Sequence, residues 1–395
     1  MTTEVQTETT TPRKRVLSGM RPTGRLHLGN YMGALYNWVK LQHEYECYFF
    51  IADYHALTTD YADTSKLKDN IREVMLDFLA AGLDPKLCTI FRQSRVPAHF
   101  ELNDMLAMIT PLSWLERVPT YKDQQEQLKE KDLATIGFLG YPLLQSADIL
   151  VYQPSFVPVG QDQAAHVEIT REIARRFNHL FAGDPGGASV VTADTLRRQL
   201  DSLENAPPSH GYSNDRIVRE IFAGETSIVD PSSRASGVNP VLPEPQVLLT
   251  PSPKLPGTDG RKMSKSYGNT ILLSDPEPEI RAKLKSMVTD PARVRRTDPG
   301  NPDVCPVFDL HKVFSSEETR VNVREGCTTA GIGCIQCKGW LADAVVAELA
   351  PIQERRRYFE AHPQEVAAIL EAGNAAANKR ANQTMQEVRV AVGID

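Results

Sequence analysis

Short apolar runs alternate with amphipathic stretches along the first hundred residues. Arg15 to Gly19 is a brief strand-like run ending at glycine and proline, and Leu28 to Glu44 reads as a helix. Glu46 to Ala52 is an uninterrupted apolar run suited to a buried strand. From Ser65 to Gly82, the residues Ile71, Val74, Met75, Phe78 and Leu79 fall at i, i+3, i+4, i+7 and i+8. That stripe predicts an amphipathic helix stopped by Gly82. Leu87 to Arg92 is the next strand. Strand, helix, strand, helix, strand implies an α/β fold: a doubly wound parallel sheet with helices on both faces. In such sheets ligands bind beyond the carboxyl ends of the strands.

The pattern changes twice further on. Residues 183–245 carry Asp184-Pro185-Gly186-Gly187, Pro207-Pro208 and Val238-Asn239-Pro240. Periodicity there is limited to Thr195 to Leu203 and Asp215 to Phe222, so the stretch reads as an insertion over the surface. After about residue 276 the pattern is helical throughout, with Leu341, Val345, Leu349 and Ile352 on one stripe. The expected organisation is a disordered polar tail at 1–12, an α/β domain at 13–275 and an all-helical module at 276–395.

Composition narrows the class. The chain has 395 residues, of which 41% are hydrophobic, enough for a large core, and no apolar stretch approaches membrane-helix length. The tail MTTEVQTETTTP lacks the apolar segment of a signal peptide, so the expected compartment is the cytoplasm, with no membrane partner. A net charge of -6 excludes a generally basic nucleic-acid binder but leaves local patches. Arg293, Arg295 and Arg296, the run Arg355-Arg356-Arg357, and Lys379-Arg380 are the candidates, each more simply a solvated helix face.

Two segments carry the chemistry. Ser18 to Gly33 joins the first strand to the first long helix and contains His27-Leu28-Gly29-Asn30. A helix N-terminus presents free N–H groups and partial positive charge to phosphate. Gly29 and Gly33 leave room for a nucleotide against the backbone, and His27 and Asn30 add donors. Far downstream, Lys262-Met263-Ser264-Lys265-Ser266 follows a loop of turn-forming residues. Two lysines three apart on a loop suit a triphosphate, whose charge grows when a carboxylate attacks the α-phosphate; such transfer needs electrostatic stabilisation and no protein nucleophile. In this order the two segments resemble the paired signature motifs of class I aminoacyl-tRNA synthetases. That resemblance implies a Rossmann-like catalytic domain using ATP with Mg2+.

Between the motifs, Tyr141, Gln145 and Asp148 fall on one helix face. A carboxylate in so apolar a segment demands a donor. Indole N–H is donor-only and suits it, but a phenol would be served nearly as well, so the residues alone leave tryptophan and tyrosine open. The runs Ala147-Asp148-Ile149-Leu150-Val151-Tyr152 and Val157 to Arg171, with Leu41 to Tyr48, Asp53 to Thr58, Leu115-Glu116-Arg117 and Pro351 to Arg355, resemble the tryptophanyl-tRNA synthetase family. The likeness runs from about residue 15 to the C-terminus, apart from the insertion.

The resemblance implies a tryptophan–tRNA ligase, acting on L-tryptophan, ATP and tRNA(Trp), as a homodimer whose C-terminal helices read the anticodon. It implies catalytic roles for His27, Asn30, Lys262 and Lys265. ATP would meet Arg21, Pro22, Thr23, Gly29, Asn30, Gly160, Gln161 and Asp162 and the loop residues Met263, Ser264 and Ser266, with Lys122 near the pyrophosphate. Tryptophan would meet Asp148, Gln163, Tyr141, Gln145, His55, Val157 and Val159. Leu17, Arg21, Gln124, Gln145 and Gln161 depart from the commonest bacterial pattern.

Cys305, Cys327, Cys334 and Cys337 form a C-x21-C-x6-C-x2-C array. Such a cluster favours metal over disulfides in a cytosolic protein. Zinc on four thiolates prefers two paired knuckles, and only Cys334 and Cys337 make one. Some bacterial tryptophanyl-tRNA synthetases carry a similar set on a [4Fe-4S] cluster, which the resemblance therefore implies here, with Zn2+ as the alternative. Cys47 and Cys88 read as core residues.

Overall fold

A computed structural model describes residues 13–116, 134–160, 164–182, 240–249 and 253–395. The expectations placed on the tail, Lys122, Gln124, Gln161, Asp162, Gln163 and residues 183–239 lie outside the described residues.

The strands β1 (Arg15–Met20), β2 (Glu46–Ile51), β3 (Cys88–Arg92), β4 (Phe156–Val159) and β5 (Gln246–Leu249) form one sheet. All pairings are parallel, and the order is β3-β2-β1-β4-β5. The order reverses between β1 and β4, so the ligand crevice falls at the carboxyl ends of those two strands. The segment carrying His27 follows β1 and Gly160 follows β4, which brings both beside that crevice.

Each face of the sheet has its own core. On one, Trp38 stacks on Phe49 at 4.7 Å, with Phe78 edge-on to the indole. On the other, Phe50, Phe91 and Tyr152 pack around the buried His99. The first helical run begins as α1 (Leu28–Asn30), widens to a π turn at Tyr31–Leu35 and resumes as α2 (Tyr36–Leu41). It is therefore not the unbroken helix that the pattern predicts. α3 (Asp53–Asp60) follows β2. α4 (Leu67–Ala81) buries the predicted stripe, and Gly82 ends it at φ 112°, a left-handed conformation that glycine adopts without a Cβ penalty.

Next come α5 (Ala98–Ala107), α6 (Leu112–Glu116), α7 (Ile136–Leu139), α8 (Tyr141–Leu150) and α9 (Ala164–Phe181). The C-terminal third is helical: α10 (Glu277–Ser286), α11 (Pro306–Phe314), α12 (Glu317–Thr328), α13 (Cys334–Ala361) and α14 (Pro363–Val392). It does not form a core apart. Leu341, Val345, Leu349 and Ile352 join the first core, alongside α4. α14 crosses β3 so closely that a Cβ on Gly373 would lie 1.8 Å from the Ile90 carbonyl oxygen.

Candidate active site

The two motifs meet across the crevice. Leu28 N–H donates to the Ile271 carbonyl at 3.0 Å and Leu273 N–H to the Leu26 carbonyl at 2.9 Å, so the chain just after Ser266 runs beside His27. The Lys265 ammonium donates to the carbonyls of Thr23 (3.0 Å) and Gly24 (2.9 Å). Burial pulls Lys265 down to about 8, against the raising influence of Asp77. Lys262 is exposed, and Met263 is buried between the motifs.

His27 and Asn30 form a reciprocal cap. Asn30 N–H donates to His27 Nδ1 at 3.3 Å, and His27 N–H donates to Asn30 Oδ1 at 3.2 Å. Asn30 thus spends its side-chain oxygen on the turn. Burial, with the charges of Lys265 and Lys262, lowers His27 to about 4. It is neutral at pH 7, and because Nδ1 accepts, the proton sits on Nε2 as a donor.

The turn holding the lysines is set by a residue that the sequence reading passed over. Asn269 is buried, accepts from Ser264 N–H at 2.8 Å, and donates to Asp259 at 2.7 Å and the Lys262 carbonyl at 3.2 Å. Gly257 makes room for it, since a Cβ there would lie 2.2 Å from the Asn269 side chain. The Gly268-Asn269 pair was the available signal.

Arg21 leads from β1 toward α3, where its guanidinium bonds to Thr59 and pairs with Asp60 at 3.6 Å. Its Nε is buried with no partner among the described residues. Burial lowers its pKa, while Asp60 and Tyr141 oppose the shift, so Tyr141 of α8 lies within electrostatic reach of Arg21. Pro22 is buried and Thr23 exposed, with Gly29, Gly160 and Ser264 half-buried and Ser266 exposed.

Below this crevice lies a buried carboxylate. Asp148 is wholly buried and accepts from His55 Nε2 at 2.8 Å, His99 Nδ1 at 2.6 Å and Gln93 Nε2 at 2.8 and 2.9 Å. His99 in turn bonds the Tyr152 hydroxyl at 2.9 Å. Burial alone would raise Asp148, but hydrogen bonds and charge from His55 and His99 outweigh it and lower its pKa. Gln93, His99 and Tyr152 escaped the sequence reading, because nothing in local spacing links them to residue 148. Gln145 instead bonds His166 Nδ1 at 2.8 Å, and Tyr141 packs on the same ring. Val157 is buried and Val159 half-buried at the end of β4.

The four C-terminal cysteines share one region. Burial, with the neighbouring thiols of Cys305, Cys327 and Cys334, pushes Cys337 up to about 12. Arg293 donates to Cys327 Sγ at 3.6 Å, and its Nε is buried without a partner among the described residues. His311 lies 3.4 Å from Cys337 Sγ. Yet among the described residues no three His, Cys, Asp or Glu side chains stand as a ready ligand set, so the expected [4Fe-4S] or zinc cage is not preformed. The basic runs also prove mixed: Arg293 and Arg356 are buried, leaving them unsuited to RNA.

A parallel sheet reversing at β1 and β4, with both motifs at its crevice, defines a class I aminoacyl-tRNA synthetase. The family described as tRNA synthetases class I (W and Y) matches residues 9–196 and 225–350, and the chain belongs to it. A tryptophan–tRNA ligase from Ralstonia nicotianae is 49% identical, the match covering 96% of this chain and 98% of that protein. One from Thermotoga maritima is 46% identical over 96% of this chain and 99% of its own length. The crystal structure of tryptophanyl-tRNA synthetase from Campylobacter jejuni, complexed with ADP and tryptophan, aligns with a TM-score of 0.73 and 30% identity. That alignment covers 96% of this chain and 99% of the other.

The lowered pKa of Lys265 has a kinetic consequence. kcat/KM for ATP, which reports the free enzyme, is expected to fall roughly tenfold per pH unit above about pH 8 as the ammonium loses its proton. Bound triphosphate favours the charged form, so the kcat profile should break at higher pH. A kcat/KM profile flat to pH 10 would contradict the assignment.

Proposed function

We infer that the site joins L-tryptophan to tRNA(Trp) in two steps. The tryptophan carboxylate oxygen attacks the α-phosphorus of Mg-ATP, the bond to the bridging oxygen breaks, and pyrophosphate leaves with that electron pair. A ribose hydroxyl of the tRNA 3′-terminal adenosine then attacks the acyl carbon of tryptophanyl-adenylate, the bond from that carbon to the phosphate oxygen breaks, and AMP leaves with that electron pair while the hydroxyl proton passes to solvent. The observation that carries this reading is the meeting of neutral, donor-bearing His27 with Lys265 at the crevice. Lys262 and Lys265 oppose the charge growing on the phosphates, and His27 Nε2–H adds a donor. Met263, Ser264 and Ser266 carry the lysines; Arg21, Pro22, Thr23, Gly29, Asn30 and Gly160 line the nucleotide's path, and Gln161 and Asp162 are proposed as partners of its ribose.

For the amino acid, we propose that indole N–H takes the place on Asp148 Oδ2 that His55 holds. Tyr141, Gln145, Val157 and Val159 then surround the ring, and Gln163 is proposed as a further partner of the substrate. No helix among the described residues is long and apolar enough to cross a membrane, and the proposal includes a cytoplasmic homodimer. Pyrophosphate exchange is expected with tryptophan and not tyrosine; the reverse would overturn the assignment.

We also propose that Cys305, Cys327, Cys334 and Cys337 hold a metal centre, favouring [4Fe-4S] over zinc. Support comes from the all-sulfur donor set, the single knuckle and the Arg293 cation against Cys327. Bound, it would cross-link three helical segments. Iron and sulfide in anaerobically purified protein, with absorbance near 400 nm, is the expected result. Stoichiometric zinc would select the alternative, and neither metal would overturn the proposal.

A further inference from the structure

The helix α13 does more than fill the first core. Its N-terminal turn carries Cys334 and Cys337, while its far half sends polar side chains to both halves of the phosphate site. Arg356, 3% exposed, bonds Asp77 through Nη1 and Glu73 through Nη2 at 2.5 Å. Both carboxylates stand on α4, and both also hold the chain entering the first motif. Asp77 Oδ2 accepts from Leu26 N–H at 2.7 Å, and Glu73 accepts from Arg25 Nε at 2.9 Å. Gln353, one turn earlier, donates to the carbonyls of Leu273 (3.1 Å) and Asp275 (2.8 Å), in the chain following the lysine motif. Glu348 accepts from the Tyr31 hydroxyl at 2.8 Å.

We propose that Arg356 is a positioning residue for ATP: through Asp77 and Glu73 it fixes the turn bearing His27, while Gln353 fixes the chain downstream of Lys265. The helix thereby sets the relative placement of the two motifs, and a shift of the C-terminal third is felt at the triphosphate.

The ion pair is suited to that task. Asp77 is fully buried, and losing Arg356 would leave its charge uncompensated. The two carboxylates cannot relax independently, because one guanidinium holds both in a fixed fork. Asp77 also acts on the Lys265 ammonium, so the same carboxylate touches both motifs, one by hydrogen bond and one by charge.

The inference rests on the ATP-site reading, and the calorimetric arm of its test does not depend on which amino acid is used. Binding of a non-reactive ATP analogue to the full chain would be measured by calorimetry, beside ATP and tryptophan KM values in pyrophosphate exchange. Arg356→Gln is expected to weaken analogue binding about tenfold, in the range of ordinary coupling between sites. Tryptophan KM should stay unchanged, and Arg356→Lys should recover part of the loss. Gln353→Ala, which touches only backbone carbonyls, should weaken ATP binding less but with the same selectivity. It decides the matter if Arg356→Gln fails to fold. Equal losses for ATP and tryptophan, or a lower Tm with intact ATP binding, would overturn the proposal. Lack of tryptophan-dependent exchange in the unaltered protein would instead count against the substrate reading.

Discussion

Replacing Lys265 with alanine is expected to slow tryptophan-dependent pyrophosphate exchange by roughly 10²–10³-fold, the usual cost of deleting one preorganised transition-state donor. The Lys265 ammonium rests on the Thr23 and Gly24 carbonyls, at the entrance to the His27 turn. Those carbonyls are weak partners for a cation, and the β- and γ-phosphates of ATP would compete well for it. As the bond to pyrophosphate breaks, negative charge moves toward the leaving group, so the lysine is worth more in the transition state than in the ground state. The loss should therefore appear mainly in kcat. Tryptophan affinity, followed by equilibrium binding, should not change, because Asp148 is held by His55, Gln93 and His99 whereas Lys265 rests on Thr23 and Gly24. Lys265→Arg should recover little: a planar guanidinium is a poor substitute for a compact ammonium in so tight a turn. Exchange at the native rate in Lys265→Ala would remove this residue from the reaction.

The stretches that declare themselves in the sequence are those whose reasons are local. The stripe on α4 and its stop at Gly82 follow from side-chain period and one left-handed residue. The apolar runs at β2 and β3 follow from burial on both faces, and even Cys47 and Cys88 meet as neighbours in register. The motifs are legible because a phosphate site of the proposed kind needs backbone and charge from contiguous residues. What stays hidden is held by partners far along the chain. His99 is 49 residues from Asp148, and Arg356 is 279 residues from Asp77. Neither pairing leaves a trace in spacing; Arg356 looks like the middle of a basic run until α13 turns it inward. Asn30 carries a role that its type alone does not reveal: its side-chain oxygen closes a cap by accepting from His27 N–H.

The same buried cluster around Asp148 yields the largest expected change in substrate choice. Asp148→Ala would leave three donors, on His55, His99 and Gln93, facing a void, each worth about 1–3 kcal/mol when unpaired in the interior. Some of that cost would be recovered by the histidines changing tautomer, and a total destabilisation of about 3–5 kcal/mol is expected in urea unfolding at pH 7. The native carboxyl is held below its ordinary range, so its contribution is present above about pH 4 and drains away as pH falls through the folded value. The stability gap between native and variant protein should accordingly narrow in acid. Catalysis offers the sharper test. A tryptophan analogue with sulfur in place of the indole N–H keeps the ring's shape and removes the donor. Native enzyme should reject it by about 10²-fold or more in kcat/KM, since binding it would leave a carboxylate lone pair dry. Asp148→Ala should lose most of its activity with tryptophan and little of its activity with the analogue, so that the two substrates converge. Persistent discrimination in the variant would mean that another group reads the indole nitrogen, and His55, already seated on Oδ2, would be the first to examine.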